Sequence, residues 1–229
     1  MAHGEAHLKS SEFISDIVIG MSDGLTVPFA LAAGLSSAVQ SNGLIITAGI
    51  AEIIAGSIAM GLGGYLAGRT ELDHYKSELA REYQETIDFP ETEKKEVREI
   101  FEEMGLSKDT QNVAVEELSK DTDKWVKFMM KYELDLEAPD KNKAKKSAFN
   151  IGISYIVGGA IPMLAYVFTS NPQTGFKFSF IVTVICLLIF GYFKSKLTGQ
   201  KPIIGALKMM AIGVIAAMSA YLLVRLFNN

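Results

Sequence analysis

Residues 44–68 read LIITAGIAEIIAGSIAMGLGGYLAG, with Glu52 the only charged residue among them. A helix needs about 20 consecutive apolar residues to cross the hydrocarbon of a bilayer, so this stretch is long enough to span it. The spanning pattern recurs on both sides. Residues 13–39, 148–169, 175–193 and 203–224 approach or exceed the same length, which predicts five transmembrane helices. The third span carries no charge. The fourth and fifth carry Lys177 and Lys208 near one end, where an amine can snorkel to the interface. Asp16, Asp23 and Pro28 interrupt the first.

Between the second and third spans the chemistry changes abruptly. Residues 70–146 hold 21 of the 26 acidic residues and 14 of the 22 basic ones, so the block is acidic while the rest of the chain is apolar. The 49% hydrophobic content and mean hydropathy of +0.23 average over two unlike regions. The fold class predicted is an all-α membrane protein, five transmembrane helices with a cytosolic helical-bundle insert between the second and third. The expected divisions are a polar N-terminal tail at 1–12, spans 1–2 at 13–69, the insert at 70–146 and spans 3–5 at 147–229.

The connections set the orientation. SAVQSNG and TSNPQTG are uncharged, whereas Arg69, the run KNKAKK at 141–146, and Lys194, Lys196 and Lys201 gather on the other side. Lys and Arg concentrate in cytoplasmic loops. The N-terminus, residues 70–146 and the Lys194–Lys201 loop are thus expected in the cytosol and the C-terminus opposite. The polar N-terminus and the long, interrupted first span argue against a cleavable signal peptide. The single cysteine, Cys186, reads as a small buried hydrophobe.

Asp23 and Glu52 fall within spans. Ionisable groups at that depth are costly and generally face a bundle interior or a water-filled path. Pro28 withdraws the amide that would bond the Gly24 carbonyl, so irregular backbone beside Asp23 is expected. Met60 lies eight residues after Glu52, about 80° around the helix, and could share one path with it across Gly56. Met60 reads equally well as packing. Desolvation raises a carboxylate's pKa and a divalent cation lowers it, so metal and protons should displace one another. Small residues at Gly56, Ser57, Gly61, Gly63, Gly64 and Gly68 favour close helix packing, and two protomers are expected to share a path at the first and second spans.

In the insert the second span has no breaker and should continue to about Ile87, before Phe89-Pro90. Helices follow at about 92–104, ending at Gly105, then from Ser107 to Leu118, then 123–136. Glu78, Glu82 and Glu85 share a face of the first; Glu93, Glu96, Glu99 and Glu103 stripe the second; Met129 and Met130 precede Glu133 by one turn on the fourth. Carboxylates with thioethers suit Fe²⁺ and related ions better than Ca²⁺ or Mg²⁺. Glutamate stripes are also ordinary solvated faces, and Met-Met is ordinary core. His3 and His7 lie in the tail. His74 completes Glu71-x-x-His74, half of a di-iron carboxylate motif that needs a second copy the chain lacks.

With these residues quoted, the chain resembles the vacuolar iron transporter family through SDGLTVPFALAAG (22–34), Glu52, MGLGGYLA (60–67) and FMMKYE (128–133). The resemblance implies a homodimer of five-span protomers that moves Fe²⁺, or in some members Mn²⁺, out of the cytosol in exchange for H⁺. It implies translocation residues at Asp23, Glu52 and Met60. It also implies metal ligands at Glu82, Glu85, Glu93, Glu96, Met129, Met130 and Glu133. No permanently bound cofactor, no nucleic-acid partner and no enzymatic reaction are expected, and the host is a plasma or vacuolar membrane. A membrane-anchored metal buffer or sensor without transport, and a di-iron oxidase, are the competing readings.

Overall fold

The structure, a computed structural model, describes residues 9–228, so His3 and His7 lie outside the described residues. The described residues form eight helices and no strand: α1 Lys9–Ala38, α2 Asn42–Asp88, α3 Pro90–Glu103, α4 Lys108–Leu118, α5 Thr122–Tyr132, α6 Lys143–Val167, α7 Pro172–Leu197 and α8 Pro202–Phe227. Five of them, α1, α2, α6, α7 and α8, are long and apolar enough to cross a membrane, as the sequence predicts. The chain divides into two compact units, one comprising residues up to Leu66 and from Ala144 onward, the other Ala67–Lys143.

Two expectations fail within the helices. Pro28 does not break α1, which runs unbroken from Lys9 to Ala38. A proline costs its helix one backbone bond, and tertiary packing offsets that here: Leu25, Phe29, Ala32 and Ala33 around it are almost wholly buried. The fourth insert helix was expected to reach Leu136, yet α5 stops at Tyr132. The Leu134 amide turns back to the Met129 carbonyl and Asp135 takes a left-handed φ of 51°. The sequence there has no glycine to announce the turn. By contrast Gly105 ends α3 where expected. Its φ of 84° permits the closing bond from the Leu106 amide to the Phe101 carbonyl. Pro90 occupies the first turn of α3 rather than preceding it, because that turn needs no proline N–H.

In the membrane-type unit α1 packs on α7 and α8, and α7 on α8. Close backbone contact brings α6 against α1, where a Cβ on Gly24 would meet the Tyr155 backbone and one on Gly158 the Leu25 amide. The α2 helix meets the same α6 through Gly61 at Ala148 and Gly56 at the Tyr155 ring. Without a hydrophobic drive between helices in lipid, such small residues supply the close packing. Outward faces remain apolar, with Ile50, Ile54, Ile58, Leu62 and Leu66 exposed along α2.

The second unit is a small bundle. Val97 of α3, Val115 of α4, and Trp125 and Met129 of α5 form its buried core, with Phe101, Leu118 and Phe128 packed against it. Polar ties join its helices: the Tyr83 hydroxyl donates to Asp123 at 2.7 Å, and Lys94 pairs with Glu116 at 3.0 Å. Asp121 caps α5 by accepting from the Lys124 amide.

Candidate metal sites

In the charged bundle three helices deliver one carboxylate each. Glu82 comes from the last turns of α2, Glu93 from the first turn of α3 and Glu133 from the residue that closes α5. One oxygen from each lies within 4.8 Å of the other two. Glu82 is 1% exposed and Glu93 4%, whereas Glu133 is at the surface. Oε2 of Glu82 and Oε2 of Glu93 are buried with no hydrogen-bond partner. An unpaired buried polar atom costs about 1–3 kcal/mol, and more if charged, so this cluster draws in either protons or a cation.

Its electrostatics agree. Burial pushes the Glu82 carboxyl up to about 7, and the charges of Glu133, Glu85 and Glu96 add to that push while Arg81 opposes it. Burial likewise lifts Glu93 to about 7, helped by Glu96, Glu82, Glu133 and Glu85. Glu96 and Glu133 also rise, each chiefly through burial. Arg81 is the neighbouring counter-charge, 2.8 Å from Glu78, 3.5 Å from Glu85 and 3.9 Å from Glu82.

The other residues expected here are less uniform. Glu85 and Glu96 are half-buried and lend charge to the triad. Met129 and Met130 are buried, and Met129 belongs to the apolar core with Val97, Val115 and Trp125. His74 lies 3.8 Å from Glu78, and Glu71 is held by Lys143 at 2.6 Å, so both residues of the half-motif have neighbours other than the triad.

The membrane-type unit has its own polar junction. Glu52 is half-buried and its Oε1 accepts a hydrogen bond from the Tyr155 hydroxyl of α6, while its Oε2 is buried without a partner. Asp23, also half-buried, precedes the glycine that packs on the Tyr155 backbone, and the phenol lies within electrostatic reach of both carboxylates. Gly56 faces the Tyr155 ring, so in this protomer that ring fills the space expected to be open. Met60, half-buried, stands two turns beyond Glu52 on α2.

Two contributors escaped the sequence reading. Tyr155 is one hydroxyl in an apolar span, and nothing local announces its carboxylate partner 103 residues away. Asp16 accepts from Ser147 Oγ at 2.6 Å and Asn150 Nδ2 at 3.2 Å. Its spacing from Asp23, seven residues or about two turns, was a usable signal that both share a face of α1.

A sequence model of the VIT family matches residues 14–225 of this chain. The chain belongs to the VIT family. Among similar proteins, the vacuolar iron transporter of Centaurea cyanus is 50% identical over 219 residues, covering 96% of this chain and 89% of the relative. Vacuolar iron transporter 1 of Oryza sativa subsp. japonica is 46% identical over 219 residues, covering 96% and 87%. Vacuolar iron transporter 1 of Arabidopsis thaliana is 46% identical over 227 residues, covering 99% and 91%. Vacuolar iron transporters are named for transport rather than catalysis, and this VIT-family chain is not an enzyme. Both of its acidic centres fall within the matched residues.

Proposed function

We propose that this chain is a multi-pass protein of the vacuolar membrane that moves Fe²⁺ out of the cytosol in exchange for protons, with Mn²⁺ as a second cargo. The observation that carries this reading is the triad of Glu82, Glu93 and Glu133, which bring one oxygen each within 4.8 Å of the others, while Glu82 and Glu93 each bury an oxygen with no hydrogen-bond partner. Carboxylate oxygens suit first-row divalent ions. Their elevated pKa means that a proton leaves as a metal arrives, which couples the two species at the point of capture. In this reading Ala67–Lys143 is cytosolic, Glu85, Glu96, Met129 and Met130 complete its ligand set, and Glu133, at the surface, admits the ion.

Asp23, Glu52 and Met60 then line the route across the bilayer. A carboxylate there compensates a divalent charge that lipid alone would exclude, and it takes up a proton once the ion has moved on. The route is shared by two protomers. Support for that pairing comes from Ala51, Ala55, Ala59 and Gly63, exposed at successive four-residue steps along α2 beside Glu52. Small residues at that spacing let helix backbones approach closely. No resident cofactor is needed, since the metal is the cargo.

The test is Fe²⁺ uptake into proteoliposomes carrying the full chain, with and without an imposed proton gradient. Uptake that follows the gradient and is lost in Asp23→Ala supports exchange along this route. Metal binding without flux would instead make the protein a membrane-anchored buffer or sensor. Consumption of Fe²⁺ by oxidation without flux would revive the di-iron oxidase.

A further inference from the structure

The α7–α8 turn borders an open cavity of about 460 Å³ that neither acidic centre uses. Three lysines line it: Lys194 in the last turn of α7, Lys201 at the N-cap of α8 and Lys208 in the second turn of α8. No carboxylate lines it, and none of the three lysines pairs with one among the described residues. Spacing places Lys201, Ile204, Lys208 and Ile212 on one face of α8, three, seven and eleven residues along. Both isoleucines are exposed. The cavity therefore joins a cationic mouth to an apolar wall.

The geometry points to a binding site for an anionic membrane phospholipid, its phosphate between Lys194, Lys201 and Lys208 and one acyl chain along Ile204 and Ile212. Three features converge on that occupant. Lys201 and Gly205, from the N-terminal turn of α8, line the mouth, and the positive end of a helix dipole there suits phosphate. Lys208 stands six residues beyond Pro202, about 9 Å into the helix, where an amine must snorkel back toward the headgroup layer and gains most from a phosphate waiting there. A free anion would use the lysines yet leave the apolar wall without a role. Basic pockets between spanning helices are a recognised form of anionic-lipid site.

The experiment is native mass spectrometry of the purified full chain titrated with dioleoyl phosphatidylserine or dioleoyl phosphatidylcholine. Phosphatidylserine should remain bound in preference to phosphatidylcholine. Its affinity should fall about fivefold for each lysine changed to glutamine, and on the order of a hundredfold in the K194Q/K201Q/K208Q triple. The K194R/K201R/K208R triple should retain it, which separates charge from damage to the fold. Lys196, on the same turn but outside the cavity, is the control, and K196Q should bind as the parent does. Undiminished retention by the glutamine triple would overturn the site. Equal weakening by K196Q would reduce it to diffuse surface charge. Displacement by inorganic phosphate at matched concentration would make it a free-anion site and likewise overturn the lipid.

Discussion

Glu82 is the residue at which burial and charge conflict most directly. Its carboxyl is 1% exposed, one oxygen has no partner, and its pKa near 7 leaves it largely ionised at pH 8. Glu82→Gln keeps the shape and deletes the charge. At pH 8 without metal the substituted bundle should be more stable by about 1–2 kcal/mol, roughly 5–10 °C in its melting temperature, while its divalent-ion affinity falls. Trp125, the single tryptophan and a core residue of that bundle, reports both effects by fluorescence. A variant that melts lower yet binds Mn²⁺ as the parent does would remove Glu82 from the site. The corresponding residue in the other unit is Tyr155, the one hydrogen-bond donor to Glu52 among the described residues. Tyr155→Phe leaves that carboxylate with no bonded oxygen, at a cost of about 1–3 kcal/mol. Initial uptake rates in proteoliposomes should drop about tenfold at equal amounts of folded protein. Unchanged rates would show that Tyr155 does not position Glu52.

Helices were the part of this molecule most readable from sequence, for reasons specific to each. The α2 helix was traceable from Leu44 to Ile87 because no proline intervenes before Pro90, and α3 because Gly105 supplies the left-handed residue its end requires. Misreadings arose where packing outweighed a local signal. Pro28 carries a real penalty, yet α1 stays helical because its neighbours are clamped between α7 and α8. The convergence of Glu82, Glu93 and Glu133 was half legible: spacing gave each helix face without separating them from Glu99 and Glu103, the family resemblance named them among seven ligands, and tertiary packing brings these three together. The Tyr155–Glu52 pair was not legible, since it depends on how closely α6 approaches α1 and α2. That approach can be tested at Gly24, where an added methyl would overlap the backbone of Tyr155, which cannot swing aside like a side chain. Gly24→Ala should cost about 1–3 kcal/mol and lower the yield of monodisperse protein. Gly63→Ala, with open space around its Cβ and a better helix former in place of glycine, should hold or slightly raise the melting temperature of the isolated protomer. Equal tolerance at both positions would refute the close α1–α6 contact.

Proton and metal linkage should be visible in the stability of the whole chain. Glu82 and Glu93 have native pKa values near 7, above the ordinary value of 4.5 that unfolding restores. Between those limits the folded protein holds more protons than the unfolded chain, so its stability must fall as pH rises. The stabilising contribution is complete below about pH 4.5 and gone above about pH 7. Without metal, then, the Trp125 melting transition should move down between pH 5 and pH 8, opposite to a protein whose carboxylates are salt-bridged. A divalent ion reverses the slope, because it binds the ionised carboxylates and protons compete with it. At a hundredfold excess over its dissociation constant it adds about 2.7 kcal/mol of stability. Mn²⁺, which resists oxidation in air better than Fe²⁺, should therefore raise the melting temperature strongly at pH 8 and little at pH 5, and a chelator should restore the metal-free curve. A metal-free transition that stays level from pH 5 to pH 8, with Mn²⁺ stabilising equally at both, would sever the link between the buried triad and protons.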